Sequence, residues 1–113
     1  MSARDLETAL SASHIEPVIL FKHSQTCGVS LMARELLADG SVPRPLHEIV
    51  VQRQRELSNA VASTLGVRHE SPQVVVVARG AAVWHSSHSG VTPDRIARAW
   101  QDAAASFTAT PAR

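Results

Sequence analysis

One cysteine and the serine three residues after it are the strongest candidates for chemistry in this sequence. Cys27 follows an apolar run and opens an apolar pattern of helical spacing, so we predict that it lies in the first turn of a helix. Unpaired N–H groups and the helix dipole favour a thiolate there, and such cysteines commonly have pKa values of roughly 3.5–7.5. Ser30 takes the place of the second sulfur of a Cys-x-x-Cys motif. Serine cannot resolve a mixed disulfide, so the pattern predicts a monothiol centre. The alternative from position alone is a small buried side chain without reactivity.

Composition narrows the possible functions of the 113-residue chain. Eleven basic and ten acidic side chains give a net charge of +1, which excludes the strong positive field of a dedicated nucleic-acid binder. The apolar runs are far too short for a membrane span, and the first residues lack the pattern of a secretory signal. A single cysteine excludes an intramolecular disulfide and favours a reducing compartment. We therefore expect a cytoplasmic protein without nucleic-acid or membrane partners.

The elements that must position Cys27 alternate between helix and strand. The apolar periodicity predicts the order α-β-α-β-α-β-β-α, with helices at about 4–12, 27–38, 55–65 and 93–106 and strands at 17–22, 47–51, 73–79 and 81–85. Thr26 and Thr92 are the predicted N-caps of the second and last helices. We expect both β-α-β crossovers to be parallel and the final hairpin to be antiparallel. This pattern predicts an α/β fold, a four-stranded mixed sheet with helices on both faces, in one domain over 1–113 that ends in a loose tail at 107–113.

Three segments together resemble the monothiol bacilliredoxins, thioredoxin-like proteins of the bacillithiol system. They are His-Ser-Gln-Thr-Cys-Gly-Val-Ser at 23–30, Val-Arg-His-Glu-Ser-Pro-Gln at 67–73 and Val-Trp-His-Ser-Ser-His at 83–88. The resemblance covers about 18–92, and the His-Glu-Ser-Pro-Gln segment is its most specific part. It implies a thioredoxin-like fold in which Cys27 is the nucleophile. It also implies that Pro72 is a cis-proline facing that cysteine.

The resemblance also implies which residues surround the thiol. Thr26, Gly28, Ser30, Ser71 and Pro72 are the expected thiol- and substrate-binding residues, supported by His23 and Ser24. An extended, cysteine-containing partner could pair with the backbone of Ser71 as an added strand segment. Gly28 departs from the family, whose members often have proline directly after the cysteine. Glycine loosens this loop.

The implied activity is that of a thiol–disulfide oxidoreductase that removes bacillithiol from protein mixed disulfides. The protein would hold no bound cofactor, and bacillithiol or another low-molecular-weight thiol would be its co-substrate. Its expected partners are S-thiolated proteins and a reducing thiol or second redox protein that regenerates Cys27. Three alternatives remain: a reductase that uses a different small thiol, a non-catalytic thioredoxin-fold adaptor, and a redox sensor.

Two other polar features receive smaller roles. Lys22 is the only lysine, and at a strand end it is expected to be a solvated side chain. His85 and His88 stand three apart, with His23 and His69 also predicted near the site. Because that spacing crosses a strand end rather than following a helical face, we predict no metal site.

Overall fold

The computed structural model describes residues 3–26, 28–38, 42–43 and 45–108. Helices and strands follow one another in the order that the apolar periodicity predicts, with two consecutive strands before the last helix. The helices are α1 (Ala3–Ala12), α2 (Gly28–Leu37), α3 (Arg55–Leu65) and α4 (Pro93–Thr108). The strands are β1 (Val18–His23), β2 (Leu46–Val50), β3 (Gln73–Ala78) and β4 (Ala81–Ser87), and a short 3-10 turn (His88–Gly90) precedes α4.

The strands form one mixed sheet in the order β2-β1-β3-β4. Strand β1 is parallel to β2 and antiparallel to β3, and β3 and β4 form an antiparallel hairpin. The predicted mixed sheet is confirmed, but the expectation of a second parallel crossover is wrong. The irregular segment 67–72 follows α3 and returns the chain to the end of the sheet at which β1 finishes, where Gln73 lies opposite Lys22. Strand β3 therefore begins where a parallel strand would end.

Two apolar cores cover the two faces of the sheet. The face that carries Leu20 and Val75 packs against α1 and α3, and the face that carries Phe21 and Val76 packs against α2 and α4. All six residues of β1 and all six of β3 are buried. An almost wholly apolar run is typical of a strand covered on both faces, so these strands form the centre of the molecule.

The C-terminus of α3 and the N-terminus of α4 are each fixed by one residue. Gly66 ends α3 in the left-handed conformation, with φ of 66°, which glycine adopts at little cost. Thr92 caps α4, because its hydroxyl oxygen accepts the Arg95 amide at 3.4 Å. Helix α4 continues to Thr108, so residues 107 and 108 are helical rather than part of a loose tail, and 109–113 lie outside the described residues. No helix in the described ranges is long and apolar enough to cross a membrane.

Replacement of Ile96 by alanine tests how firmly α4 holds the sheet. Ile96 is fully buried in the core shared by α2 and α4, so Ile96→Ala should lower the free energy of unfolding by about 2–5 kcal/mol. Ile15 is 79% exposed, and Ile15→Ala should change it by no more than about 0.5 kcal/mol. Urea unfolding of both variants measures the two values, and equal losses would contradict this packing.

Candidate active site

The residues before Cys27 are held by one glutamine from the neighbouring connection. Gln52 lies just after β2, and its side-chain carbonyl accepts the amide of Gln25 at 3.1 Å. Its side-chain NH2 donates to the hydroxyls of Ser24 and Thr26. A single side chain therefore fixes three consecutive residues. Cys27 itself lies outside the described residues, whereas its neighbours Thr26 and Gly28 are both described and exposed.

This glutamine was missed in the sequence analysis, although its position offers a signal. Parallel strands end at the same edge of a sheet, and His23 is paired with Val50 at the ends of β1 and β2. The residues that follow these two strands must then meet. The hydroxyl of Thr26, predicted as an N-cap, takes part instead in bonds with Ser24 and Gln52.

The segment before β3 reaches the first turn of α2 from the other side. Ser30 is fully buried, and its hydroxyl lies 3.3 Å from that of Ser71. The peptide bond between Ser71 and Pro72 is cis, and Pro72 is buried. Of the expected substrate-binding residues, the structure thus joins Ser30 to Ser71. Gly28 is the first residue of α2, and an added Cβ there would meet no atom within 4 Å.

Hydrogen bonds connect the second and third motif segments with each other. Glu70 accepts the hydroxyl of Ser87 at 2.8 Å and lies 3.3 Å from His88. The amide of His88 donates to the carbonyl of Pro72 at 3.0 Å. The Ser87 hydrogen bond, together with His88, lowers the pKa of the Glu70 carboxyl and keeps it ionised near neutral pH. The segment that carries Ser71 is therefore fixed by the end of β4.

His23 forms a buried pair with a carboxylate that sequence reasoning missed. The residue is 2% exposed, and its ring stacks on Phe21 with centroids 5.3 Å apart and places Nε2 2.6 Å from Glu48. Arg34 of α2 donates to the same carboxylate oxygen at 2.9 Å. Partial burial raises the pKa of Glu48, but the hydrogen bonds from Arg34 and His23 outweigh that effect and lower it. The carboxylate is therefore charged near neutral pH.

Lys22 is fully buried, so the prediction of a solvated side chain is wrong. On the α3 face of the sheet, its ammonium group donates to His69 Nδ1 at 3.2 Å, and Ser58 lies 3.3 Å from the same nitrogen. Burial lowers the pKa of His69, and the charge of Lys22 lowers it further. A neutral imidazole is the form that accepts a bond from lysine. Strand β1 therefore carries a buried cation next to the residue that ends it.

The histidines do not assemble around one point. His23 binds Glu48, His69 binds Lys22 and His88 binds Glu70, while His85 lies exposed on β4. Within the described ranges, no group of three or more His, Cys, Asp or Glu side chains is placed to hold a metal ion.

Comparison with known proteins gives a family and a fold. Residues 1–96 match a family described as monothiol bacilliredoxin BrxC. A candidate oxidoreductase with a thioredoxin fold is 28% identical, with a TM-score of 0.74 over 87% of this chain and 88% of the other. Thioredoxin from Fasciola hepatica is 18% identical, with a TM-score of 0.67 over 90% and 94%. A thioredoxin variant from Halobacterium salinarum is 23% identical, with a TM-score of 0.60 over 88% and 84%. The predicted thioredoxin-like fold is confirmed.

Removal of the Gln52 side chain should loosen the residues before Cys27 without unfolding the chain. In Gln52→Ala the Gln25 amide loses its acceptor, so its hydrogen exchange should become about 2- to 10-fold faster, the effect of one net hydrogen bond. NMR-detected exchange measures this rate. Gln101→Ala, an exposed change on α4, is the control and should leave the Gln25 rate unchanged. Equal rates in Gln52→Ala and the wild type would contradict the role of Gln52 in holding residues 24–26.

The buried amine should make stability depend on pH in the alkaline range. Burial lowers the pKa of Lys22 to about 8, against about 10.4 in an unfolded chain. Between these values the unfolded chain holds a proton that the folded chain has released, so this amine destabilises the fold less as pH rises. The unfolding free energy of the wild type minus that of Lys22→Met should therefore increase from pH 8 to about pH 10.4 and stay flat below pH 8. Urea unfolding at each pH tests this, and a flat difference throughout would contradict it.

Proposed function

The chain belongs to the monothiol bacilliredoxin family, and from that premise we propose that it removes bacillithiol from protein mixed disulfides through Cys27. The single observation that carries the proposal is that the cysteine-bearing segment is held on both sides. Gln52 binds the residues before Cys27, and Ser71 binds Ser30 after it. The family and the thioredoxin fold support a thiol redox function. The proposed class is a thiol–disulfide oxidoreductase that holds no bound cofactor.

The proposed reaction is one disulfide exchange. The Cys27 thiolate attacks the bacillithiol sulfur of a protein mixed disulfide, and a new S–S bond forms between these two sulfurs. The old S–S bond breaks, and its electron pair leaves with the protein sulfur, which takes a proton from solvent. One disulfide replaces another, so the step needs no external oxidant or reductant.

A second exchange must regenerate the thiolate. Ser30 carries no sulfur, and its buried hydroxyl is bonded to Ser71, so Cys27 has no internal resolving thiol. A free thiol or another redox protein would attack the mixed disulfide on Cys27 and release the thiolate. A monothiol nucleophile must be kept reduced, so we propose the cytoplasm, a reducing compartment, as the place of this activity.

The exposed face of α2 supports a protein as one partner. Val29, Met32 and Leu36 recur at helical spacing and are 51%, 66% and 49% exposed. The stripe begins two residues after Cys27, so a protein whose sulfur reaches this thiol would pass over it. Apolar side chains that stay exposed in a row are typical of contact surfaces. An extended stretch of the same partner would pair with the backbone of Ser71.

Mass spectrometry of the protein mixed with a bacillithiolated substrate tests this function. We expect the intact mass to rise by one bacillithiol, with the adduct on the Cys27 peptide and the substrate thiol free. Cys27→Ser should show complete loss of both adduct and release, because the variant has no sulfur nucleophile. Absence of an adduct on Cys27, or release by Cys27→Ser at the wild-type rate, would exclude the proposed reaction and favour an adaptor.

A further inference from the structure

A cleft of about 460 Å³ opens beside the segment that carries Cys27. We propose that it binds the carboxylate-bearing part of the low-molecular-weight thiol and that Arg53 recognises the carboxylate. This inference rests on the proposed function and assigns a binding site to its small substrate. Pockets for small molecules usually measure about 300–1,000 Å³, so the cleft has room for a thiol of this class.

The cleft adjoins the nucleophile along the chain. Gln25 and Leu31 form part of its wall, two residues before and four residues after Cys27. Glu48 and Arg53 contribute from β2 and from the turn that follows it. That turn is the one whose Gln52 holds Ser24–Thr26, so cleft and cysteine segment share one support. A thiol bound here would extend away from a sulfur positioned at Cys27.

Two arginines and one glutamate line the cleft, so the guanidinium groups outnumber the carboxylate by one. Arg34 and His23 both bind Oε1 of Glu48. The charge of the Arg34 guanidinium group balances that of the carboxylate. His23 is buried and stacked on Phe21, which fixes this group before a ligand arrives. Within the described part of the chain both hydrogen bonds to Glu48 end on Oε1, so Oε2 can accept a bond from a ligand hydroxyl or amine.

Arg53 supplies the unmatched charge. No ion pair within the described part of the chain includes its guanidinium group, and its backbone amide is fixed by a 3.1 Å bond to the carbonyl of Val50. The side chain is exposed and lines the cleft. A guanidinium group presents two parallel N–H donors to a carboxylate, and such bonds are about twice as strong as neutral ones. The cleft therefore favours an anionic thiol over an uncharged one.

Transfer rates from three mixed disulfides of one substrate protein test the cleft. The small thiols are bacillithiol and glutathione, which carry carboxylates, and 2-mercaptoethanol, which carries none. Wild-type Cys27 should accept the first two faster. Arg53→Gln should slow their transfer about 10-fold or more, the loss of one charge-assisted bond, and should leave 2-mercaptoethanol unchanged. Arg98→Gln, on the exposed side of α4 outside the cleft, is the matched control and should alter none of the rates.

The outcomes separate the cleft from the proposed function. Equal slowing of all three thiols in Arg53→Gln would mean that Arg53 acts on Cys27 rather than on the ligand, and would overturn the inference. No slowing in any would also overturn it. Transfer of all three thiols at one rate by the wild type would overturn the proposed binding role of the cleft and leave the proposed function intact. Failure of the wild type to accept any small thiol would overturn both.

Discussion

Strand β1 lies between β2 and β3 and is buried along its whole length, and the site depends on where this strand ends. Because β2 runs parallel to it, the turn after β2 lies next to the residues that follow His23, and Gln52 holds them. Because β3 runs antiparallel, it starts at the same edge, and the segment before it brings Ser71 to Ser30. Two connections therefore meet around the segment that carries Cys27.

The last two residues of β1 each bind a titratable partner, one on each face of the sheet. Lys22 points to the α3 face and binds a neutral His69, whereas His23 points to the α2 face and binds an ionised Glu48. Burial disfavours the charged form of Lys22 and lowers its pKa, so this side chain reduces the stability of the fold while it is protonated. The proposed exchange requires a thiolate at Cys27, which follows Lys22 by five residues in the chain.

Local patterns predicted most of the elements, and long-range contacts explain what they could not. The run of four valines at 74–77 indicates a buried strand, and Thr92-Pro93-Asp94 indicates the start of a helix. Both predictions, for β3 and for α4, are confirmed. The direction of β3 depends on the path of segment 67–72 between α3 and the sheet, and no pattern of residue types in the sequence predicts that path. Burial of Lys22 contradicts the usual preference of lysine, and its acceptor lies 47 residues away. The family resemblance implied that Ser30 and Ser71 share a site. Gln52 and Glu48 lie outside the three resembling segments, and the parallel pairing of β1 with β2 brings them to that site.

The rate of Cys27 alkylation as a function of pH tests most directly whether this arrangement produces a reactive thiolate. Iodoacetamide reacts with the thiolate, so the midpoint of the rate profile reports the pKa of Cys27. We predict a midpoint well below the ordinary value for cysteine, about 8.5. A wild-type midpoint at or above about 8.5 would contradict the account and leave Cys27 an unactivated thiol.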